Sequence, residues 1–331
     1  GQNWAPMRPL AEFEHPESME NRVAGARIRE RLVDLASCLA ERGIGSQDPA
    51  AACFVPGRIE VLGKHTDYAG GRSLVAATEQ GISMVASPRG GRHVSITDVR
   101  CGATAEFCLE SLGDVTADDW SIYPLAVARR MTADLAVDLH GAEIVFESDL
   151  PMAAGLSSSS ALMIATFLAL ARCHEWRDAP ELRRREDLAA YLGAVEAGRE
   201  FGPFAGSGDG DGVGTAGGNQ DHTAILCSGR NQIRQYSYLP TRLERVLHLP
   251  TELGFAIAVS GVEAVKTGGA REAYNRASHL ARQLTVIWNR HAGSEVVSLA
   301  EILSTDPQAL SKLEKMITVD GGGHEVQVEL L

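Results

Sequence analysis

Four consecutive serines, Ser157 to Ser160, form the segment of this 331-residue chain that most directly suggests chemistry. They follow Gly155 and Leu156, and they precede an apolar segment at residues 161–172 that predicts a buried helix. Small residues let a backbone approach phosphate closely, and the free N–H groups at a helix start attract anions. The hydroxyls add donors, and one could reach a metal ion carried by the phosphates. The segment therefore predicts a nucleotide site, with a serine N-cap before an ordinary core helix as the alternative.

This loop differs from the common phosphate loop, which needs a Gly-Lys-Ser/Thr ending, because no lysine follows the serines. Charge that neutralises the phosphates must then come from elsewhere in the chain. A candidate is the polar cluster within residues 56–73, which contains Arg58, Lys64, His65, Asp67 and Tyr68. A carboxylate can accept from two adjacent hydroxyls, and His and Lys add further polar contacts. The cluster suits a polyhydroxylated ligand, whereas the alternative is a solvated turn.

A third polar segment, residues 214–223, contains Asp221 after a run of glycines and before a predicted strand at residues 223–226. A carboxylate there could accept the proton of a substrate hydroxyl or orient that hydroxyl during phosphoryl transfer. Alone, an aspartate in a polar turn is the simpler interpretation. Glu196 lies on the helix predicted before this segment and could join a serine in holding Mg²⁺, or it could be a surface glutamate.

Composition limits the classes of function that fit. The net charge of −12 argues against a nucleic-acid surface or an anionic membrane surface as partner. The six cysteines are scattered without a Cys-x-x-Cys pair, which favours reduced thiols in a cytoplasmic protein over a zinc site or a disulfide framework. No apolar run reaches the roughly 18 residues of a membrane span, and the acidic N-terminal segment is unlike a signal peptide. We therefore expect a cytoplasmic protein with small-molecule ligands.

The periodicity predicts strands and helices in irregular order, which indicates the α+β class. Helices are predicted at 22–42, 120–135, 158–172, 182–200 and 271–290, and strands at 54–62, 74–87, 93–97, 142–146, 223–226 and 255–260. A domain boundary is expected near residue 225, which gives an N-terminal domain at 1–225 and a C-terminal domain at 226–331.

Three segments in the same order resemble the GHMP small-molecule kinases, and within them the galactokinase branch. Residues 57–68 resemble that branch's sugar signature, Gly-Arg-x-Asn-x-x-Gly-Glu-His-x-Asp-Tyr, and residues 155–161 its Gly-Leu-Ser-Ser-Ser-Ala-Ser motif. Residues 218–222 occupy the place of its Met-Asp-Gln segment. Ser260-Gly261-Val262 and Tyr274-Asn275-Arg276 resemble a later pattern. Three motifs in order are far more specific than any one of them.

The resemblance implies two α+β domains, an N-terminal mixed-sheet domain with ribosomal-S5-like topology and a ferredoxin-like C-terminal domain, with the active site between them. It implies transfer of the ATP γ-phosphoryl group to a sugar, at the anomeric hydroxyl. By this resemblance Arg58 stabilises charge on the transferring group, Asp221 acts on the hydroxyl, and Ser159 and Glu196 hold Mg²⁺. The implied sugar contacts are Glu60, Lys64, His65, Asp67, Tyr68, Gly218 and Tyr274, and the implied nucleotide contacts are Gly155, Leu156, Ser157, Ser158, Ser159 and Ser160.

The chain departs from the family pattern at three places. Glu60 replaces the family Asn, and Lys64 replaces a Glu that contacts sugar, which exchanges an acceptor for a cationic donor. The substitution predicts a sugar other than plain galactose, one that carries a carboxylate or another acceptor. The late glycine-rich motif is reduced to Gly321–Gly323, so either the chain is incomplete or its C-terminal domain is reduced. A non-catalytic sugar sensor is the alternative to a kinase, and a mevalonate or homoserine kinase is a weaker one.

Overall fold

A mixed sheet of eight strands organises the computed structural model, which describes residues 7–13, 25–112, 119–135, 138–151, 155–174, 176, 179–202, 204, 212–258 and 269–319. The main path of the sheet runs β1-β2-β3-β6-β4-β5, and β7 joins β3 and carries β8. All neighbours are antiparallel except the parallel pair β4 and β6. The strands are β1 (Arg8–Pro9), β2 (Pro49–Leu62), β3 (Arg72–Arg89), β4 (His93–Asp98), β5 (Thr104–Cys108), β6 (Gly141–Ser148), β7 (Gln232–Ser237) and β8 (Arg242–His248).

The helices bracket this sheet and extend beyond it. They are α1 (Ala26–Glu41), α2 (Ile122–Asp134), α3 (Ser158–Cys173), α4 (Arg185–Ala197), α5 (Gln220–Cys227), α6 (Gly269–Ala292), α7 (Leu299–Thr305) and α8 (Ala309–Val319). In the parts of the chain that the structure describes, none of them is both long and apolar enough to span a membrane. This mixture of helices and sheet confirms the predicted α+β class.

Two apolar layers cover opposite faces of the sheet. On one face, α2, α3 and α4 bury a large cluster that includes Met131, Phe167 and Leu192. On the other face, α1 packs Leu32, Leu35 and Leu39 against Val85 and Val145. Alternate residues of β3 and β6 thus face different layers, as the two-residue period of a strand requires. The apolar side chains of α3 hold the serine loop at its start against a rigid core.

The C-terminal helices form a separate apolar cluster. Leu284 and Trp288 of α6 pack with Ile302 of α7 and Leu313 of α8. The predicted domain boundary near residue 225 stays a prediction, and strands after it still extend the main sheet, because residues 72–75 of β3 pair with residues 234–237 of β7.

Two predicted strands are wrong. Residues 223–226 lie within helix α5, whose buried residues include Thr223, Ala224 and Ile225. Four apolar residues are too few to distinguish a strand from one turn of a buried helix. Residues 255–258 form no strand, and Phe255 and Ile257 are both 43% exposed, so they lack the burial that would favour a strand there. Residues 259–260 lie outside the described residues, as do Gly261, Val262 and Gly321–Gly323.

Candidate active site

Arg58 lies on β2 and connects the polar cluster to both other predicted motifs. Its Nε donates to Oδ1 of Asp221 at 2.7 Å, and its Nη1 donates to the carbonyl of Gly155 at 2.6 Å. Burial works against the charged guanidinium, but the neighbouring Asp221 carboxylate outweighs burial and raises the pKa of Arg58. The three segments that the sequence singled out therefore meet at one guanidinium.

Close backbone packing brings β2 to the serine loop. The amide of Arg58 donates to the carbonyl of Leu156 at 3.2 Å. Gly57 is required here, because a Cβ at this position would lie 2.8 Å from the Leu156 oxygen and 2.6 Å from a methyl carbon of Leu150. Gly57 thus lets strand and loop approach without a side chain between them.

The serine loop enters α3 through a residue in the left-handed region. Ser157 occupies the N-cap position with φ 58° and ψ 47°, it is 7% exposed, and its side chain makes no capping hydrogen bond. Instead its hydroxyl donates to Oδ2 of Asp221 at 2.5 Å. The alternative interpretation of the serines as ordinary caps therefore does not describe Ser157.

Asp221 lies in the first turn of α5, after Asn219 at the N-cap position. Arg58 donates to one of its oxygens and Ser157 to the other. The negative carboxylate is favourable at a helix N-terminus, where the backbone N–H groups carry partial positive charge. A carboxylate held by donors on two sides is fixed in orientation, which suits it to align a substrate hydroxyl.

Asp67 begins a short 3₁₀ turn, Asp67–Ala69, and is 5% exposed. Its Oδ2 accepts from the amide of Gln220 at 3.0 Å, so it secures the chain directly before Asp221. Burial raises the pKa of Asp67 to about 6 even though this hydrogen bond lowers it. A Cβ on Gly218 would lie 2.2 Å from the same oxygen, so glycine is required at that position.

Three aromatic rings gather beside this turn. The Tyr274 ring of α6 lies edge-on to His65, at 4.7 Å between centroids, and to Tyr68, at 5.9 Å. Burial and then the charge of Lys64 lower the pKa of His65, which favours the neutral ring. Burial, followed by the nearby carboxylates, raises the pKa of Tyr274. Lys64 is exposed and Glu60 is half-buried, so both ionisable side chains reach the solvent-facing side of the cluster.

Glu196 lies near the end of α4 and is 9% exposed. Its Oε2 accepts from the hydroxyl of Ser160 at 3.1 Å and lies 3.6 Å from Nε2 of the fully buried His222. Glu196 is therefore not the surface residue that the alternative interpretation described, and it adjoins the serine loop. The structure records this contact to Ser160, whereas the predicted metal pairing of Glu196 with Ser159 stays a prediction.

Sequence reasoning missed two residues that hold the glycine-rich segment before Asp221. The Asn275 side chain accepts from the amide of Ala216 at 2.7 Å and donates to the carbonyl of Gly214 at 2.9 Å. The guanidinium of Arg199 donates to the carbonyl of Gly217. Asn275 follows Tyr274 in the motif Tyr274-Asn275-Arg276, so the sequence offered a signal for it. Arg199 follows a helix end and belongs to no recognised motif.

The C-terminal half supports the 63–71 turn from behind. A Cβ on Gly70 would lie 2.3 Å from the Ser298 hydroxyl oxygen, which places α7's N-cap residue directly against that turn. Ser73 and Tyr238 share a buried hydrogen bond of 2.6 Å, and Arg72 pairs with Glu244 of β8 at 2.8 Å. The polar cluster is thus held by residues from both halves of the chain.

Family profiles match two segments of the chain that carry many of these residues. The family profile described as "GHMP kinases N terminal domain" matches residues 123–229. Residues 123–229, about a third of the chain, are thus similar to the N-terminal domain of the GHMP kinases. A second profile, "Galactokinase galactose-binding signature", matches residues 41–88, which contain the polar cluster from Arg58 to Tyr68.

Individual relatives of this chain are galactokinases, each similar to it over part of its length. The chain is 35% identical to a galactokinase of Halalkalibacterium halodurans over 120 residues, and 35% identical to one of Chloroflexus aggregans over 126 residues. These stretches cover 36% and 38% of this chain but only 30% and 32% of the relatives. The fold matches the crystal structure of Lactococcus lactis galactokinase complexed with galactose with a TM-score of 0.62 and 20% identity, over 89% of this chain and 69% of that one.

Proposed function

We propose that the protein is an ATP-dependent sugar kinase that transfers the γ-phosphoryl group to the anomeric hydroxyl of a sugar, forming a sugar 1-phosphate. The observation that carries this proposal is the contact of Asp221 with both Arg58 and Ser157, because it unites the sugar-signature strand, the serine loop and the catalytic-position aspartate. The galactokinase profile and relatives support the same reaction class.

The residues divide the reaction between positioning and charge stabilisation, which are the main needs of phosphoryl transfer. Asp221 orients the acceptor hydroxyl and receives its proton. Arg58 stands beside it and stabilises the charge on the transferring group. The amides at the start of α3 and the hydroxyls of Ser158 and Ser159 bind the phosphates, as expected for a helix N-terminus.

Mg²⁺ accompanies ATP in this proposal, and the residues present fit it. In the described part of the chain no group of three or more His, Cys, Asp or Glu could hold a metal ion. Magnesium at phosphates needs only one or two protein carboxylates with hydroxyl, phosphate and water oxygens. Glu196 with Ser159 supplies such oxygens beside the serine loop, and the bound ion would neutralise phosphate charge.

The sugar pocket is formed by Asp67, Tyr68, His65, Gly218 and Tyr274, with Lys64 and Glu60 at its solvent side. Because Lys64 offers a cation where a galactokinase offers an acceptor, the preferred sugar carries a carboxylate or another acceptor. The 5% exposure of Asp67 limits it to a small contact with a sugar hydroxyl.

ATP consumption by the purified protein with Mg²⁺, across hexoses, pentoses, uronic acids and amino sugars, tests the proposal. We expect turnover with an acidic sugar, and loss of about 10²- to 10⁴-fold in Asp221→Asn, the usual scale for an acid–base group. The variant also controls for contaminating kinases. If the folded wild type consumes no ATP with any sugar of the panel, the kinase proposal is wrong. Sugar binding measured by calorimetry without turnover would then indicate a sensor.

A further inference from the structure

We propose that Ser157 is a positioning residue for the reaction, which holds the Asp221 carboxylate in its working orientation instead of acting as a nucleotide ligand through its hydroxyl. This inference rests on the proposed function. It separates Ser157 from Ser158 and Ser159, with which the sequence groups it.

The direction of the Ser157 side chain is the first observation. Ser157 is 7% exposed, and its hydroxyl donates to Asp221 Oδ2 at 2.5 Å. Ser158, the next residue, is exposed. The hydroxyl of Ser157 is therefore already engaged by a carboxylate, whereas Ser158 is accessible to a phosphate chain.

The backbone of Ser157 is the second observation. Its φ of 58° lies in the left-handed region, which is unfavourable for a residue with a side chain and which glycine adopts freely. The N-cap serine also forgoes the capping hydrogen bond that normally makes serine favourable at this position. Neither the conformation nor capping explains a serine here, whereas the contact with Asp221 does.

The frame around Asp221 is the third observation. Arg58 donates to Oδ1 of Asp221 and also to the carbonyl of Gly155, two residues before Ser157. Arg58, Asp221 and the loop from Gly155 to Ser157 thus close a ring of contacts. Loss of the Ser157 hydroxyl removes a donor on Oδ2 and loosens the hold on the carboxylate relative to the substrate hydroxyl.

Ser157→Ala tests the proposal, because alanine keeps the same backbone strain and removes only the hydroxyl. We expect kcat to fall about 10- to 100-fold, the equivalent of one hydrogen bond to a charged group, with KM for ATP unchanged. Ser158→Ala provides the contrast, with a raised KM for ATP. Ser37→Ala provides the control, with kcat and KM expected to stay unchanged, because the Ser37 hydroxyl donates to the Val33 carbonyl of its own helix.

A double-mutant cycle with Asp221→Asn separates positioning from nucleotide contact. If Ser157 acts through Asp221, Ser157→Ala causes little further loss of kcat in the Asp221→Asn background. The proposal would be wrong if the double variant lost kcat by the product of the two single losses. It would also be wrong if Ser157→Ala raised KM for ATP at constant kcat. Ser157→Gly, which relieves the backbone strain, repeats the cycle if the alanine variant fails to fold.

The same cycle measured by urea unfolding keeps this inference distinct from the proposed function. Coupling between Ser157→Ala and Asp221→Asn in the free energy of unfolding is expected whether or not a sugar is phosphorylated. If the wild type proves inactive, the kinase proposal fails. Strictly additive unfolding energies would overturn the Ser157 proposal by themselves.

Discussion

Arg58 and Asp221 stand 163 positions apart in the chain, yet the guanidinium Nε lies 2.7 Å from the carboxylate Oδ1. Their side chains are 15% and 25% exposed, so the pair is partly shielded from solvent while one side stays open. Shielding strengthens the attraction between the charges, and openness leaves room for a substrate beside them. The pair joins strand β2, which carries Arg58, to helix α5, which carries Asp221.

Arg58→Lys is expected to lower kcat by about 10²- to 10³-fold, the scale for losing a donor that stabilises transition-state charge. A lysine ammonium cannot reproduce the fork that reaches Asp221 and the Gly155 carbonyl together. Steady-state kinetics on the preferred sugar measure this loss, with thermal unfolding as the check on folding. A lysine variant with nearly full kcat would show that charge alone suffices and that the fork geometry is dispensable.

Asp67→Asn is expected to stabilise the protein more at pH 8 than at pH 5. The folded-state pKa of Asp67, about 6, lies above its ordinary value of 3.8, so the folded protein binds this proton more tightly than the unfolded chain. Stability from this group is therefore fully present below about pH 3.8 and is lost as pH rises through 6. The whole change is about 3 kcal/mol, and about half of it falls between pH 5 and pH 8.

Urea unfolding of both proteins at the two pH values measures the difference, and sugar affinity should fall in the variant. Asparagine still offers an oxygen to the Gln220 amide, so the local turn is kept. An equal effect at pH 5 and pH 8 would mean that the carboxyl does not titrate in this range.

Gly218→Ala is expected to disturb the site severely, because its Cβ would lie 2.2 Å from Asp67 Oδ2 and 2.9 Å from the Tyr68 amide nitrogen. Moving these groups costs about 1–3 kcal/mol, typical of overpacking, and displaces the residues that precede Asp221. Gly254→Ala is the matched control, since no atom lies within 4 Å of its added Cβ. Chemical unfolding and kcat distinguish the pair, and equal behaviour of the two variants would contradict the close packing.

Lys64→Glu is expected to shift preference from acidic sugars toward neutral hexoses. The substitution restores the acceptor of the galactokinase signature and places a negative charge where an acidic sugar would bind. The ratio of kcat/KM for a uronic acid to that for galactose should fall about 10- to 100-fold, as for one charged hydrogen bond. For Lys64→Gln, which offers a neutral donor of similar length, the ratio should lie between those of the wild type and Lys64→Glu. A ratio unchanged in both variants would show that Lys64 does not determine specificity.

The sequence was most informative where the chemistry is local. The serine loop and the polar cluster each form a short continuous segment, helix α1 follows apolar periodicity, and helix α3 is a continuous apolar segment, so pattern alone predicted them. Strands β7 and β8 were missed because β8 is exposed along most of its length and shows no alternation of buried and exposed residues. Their place in the sheet is decided by pairing with β3, which local sequence does not encode.

The direction of individual side chains was also beyond local sequence. Four serines look equivalent in the chain, yet Ser157 contacts Asp221 and Ser160 contacts Glu196. These contacts depend on a positive φ at Ser157 and on helices α4 and α5, which come from distant parts of the chain. The same holds for Arg199, whose contact with Gly217 depends on the course of the chain after α4.

The support of the polar cluster by the C-terminal half has a consequence for protein engineering. A fragment that ends at residue 229, where the match to the GHMP kinase profile ends, would keep Arg58 and Asp221 but lose β7, Tyr238 and Ser298. The turn at residues 63–71 would then lose the residues that pack against it. Residues 57–68 alone would accordingly not transfer the sugar preference to another protein. A chimera that is to have this preference must also contain the segment from Gln232 through Ser298.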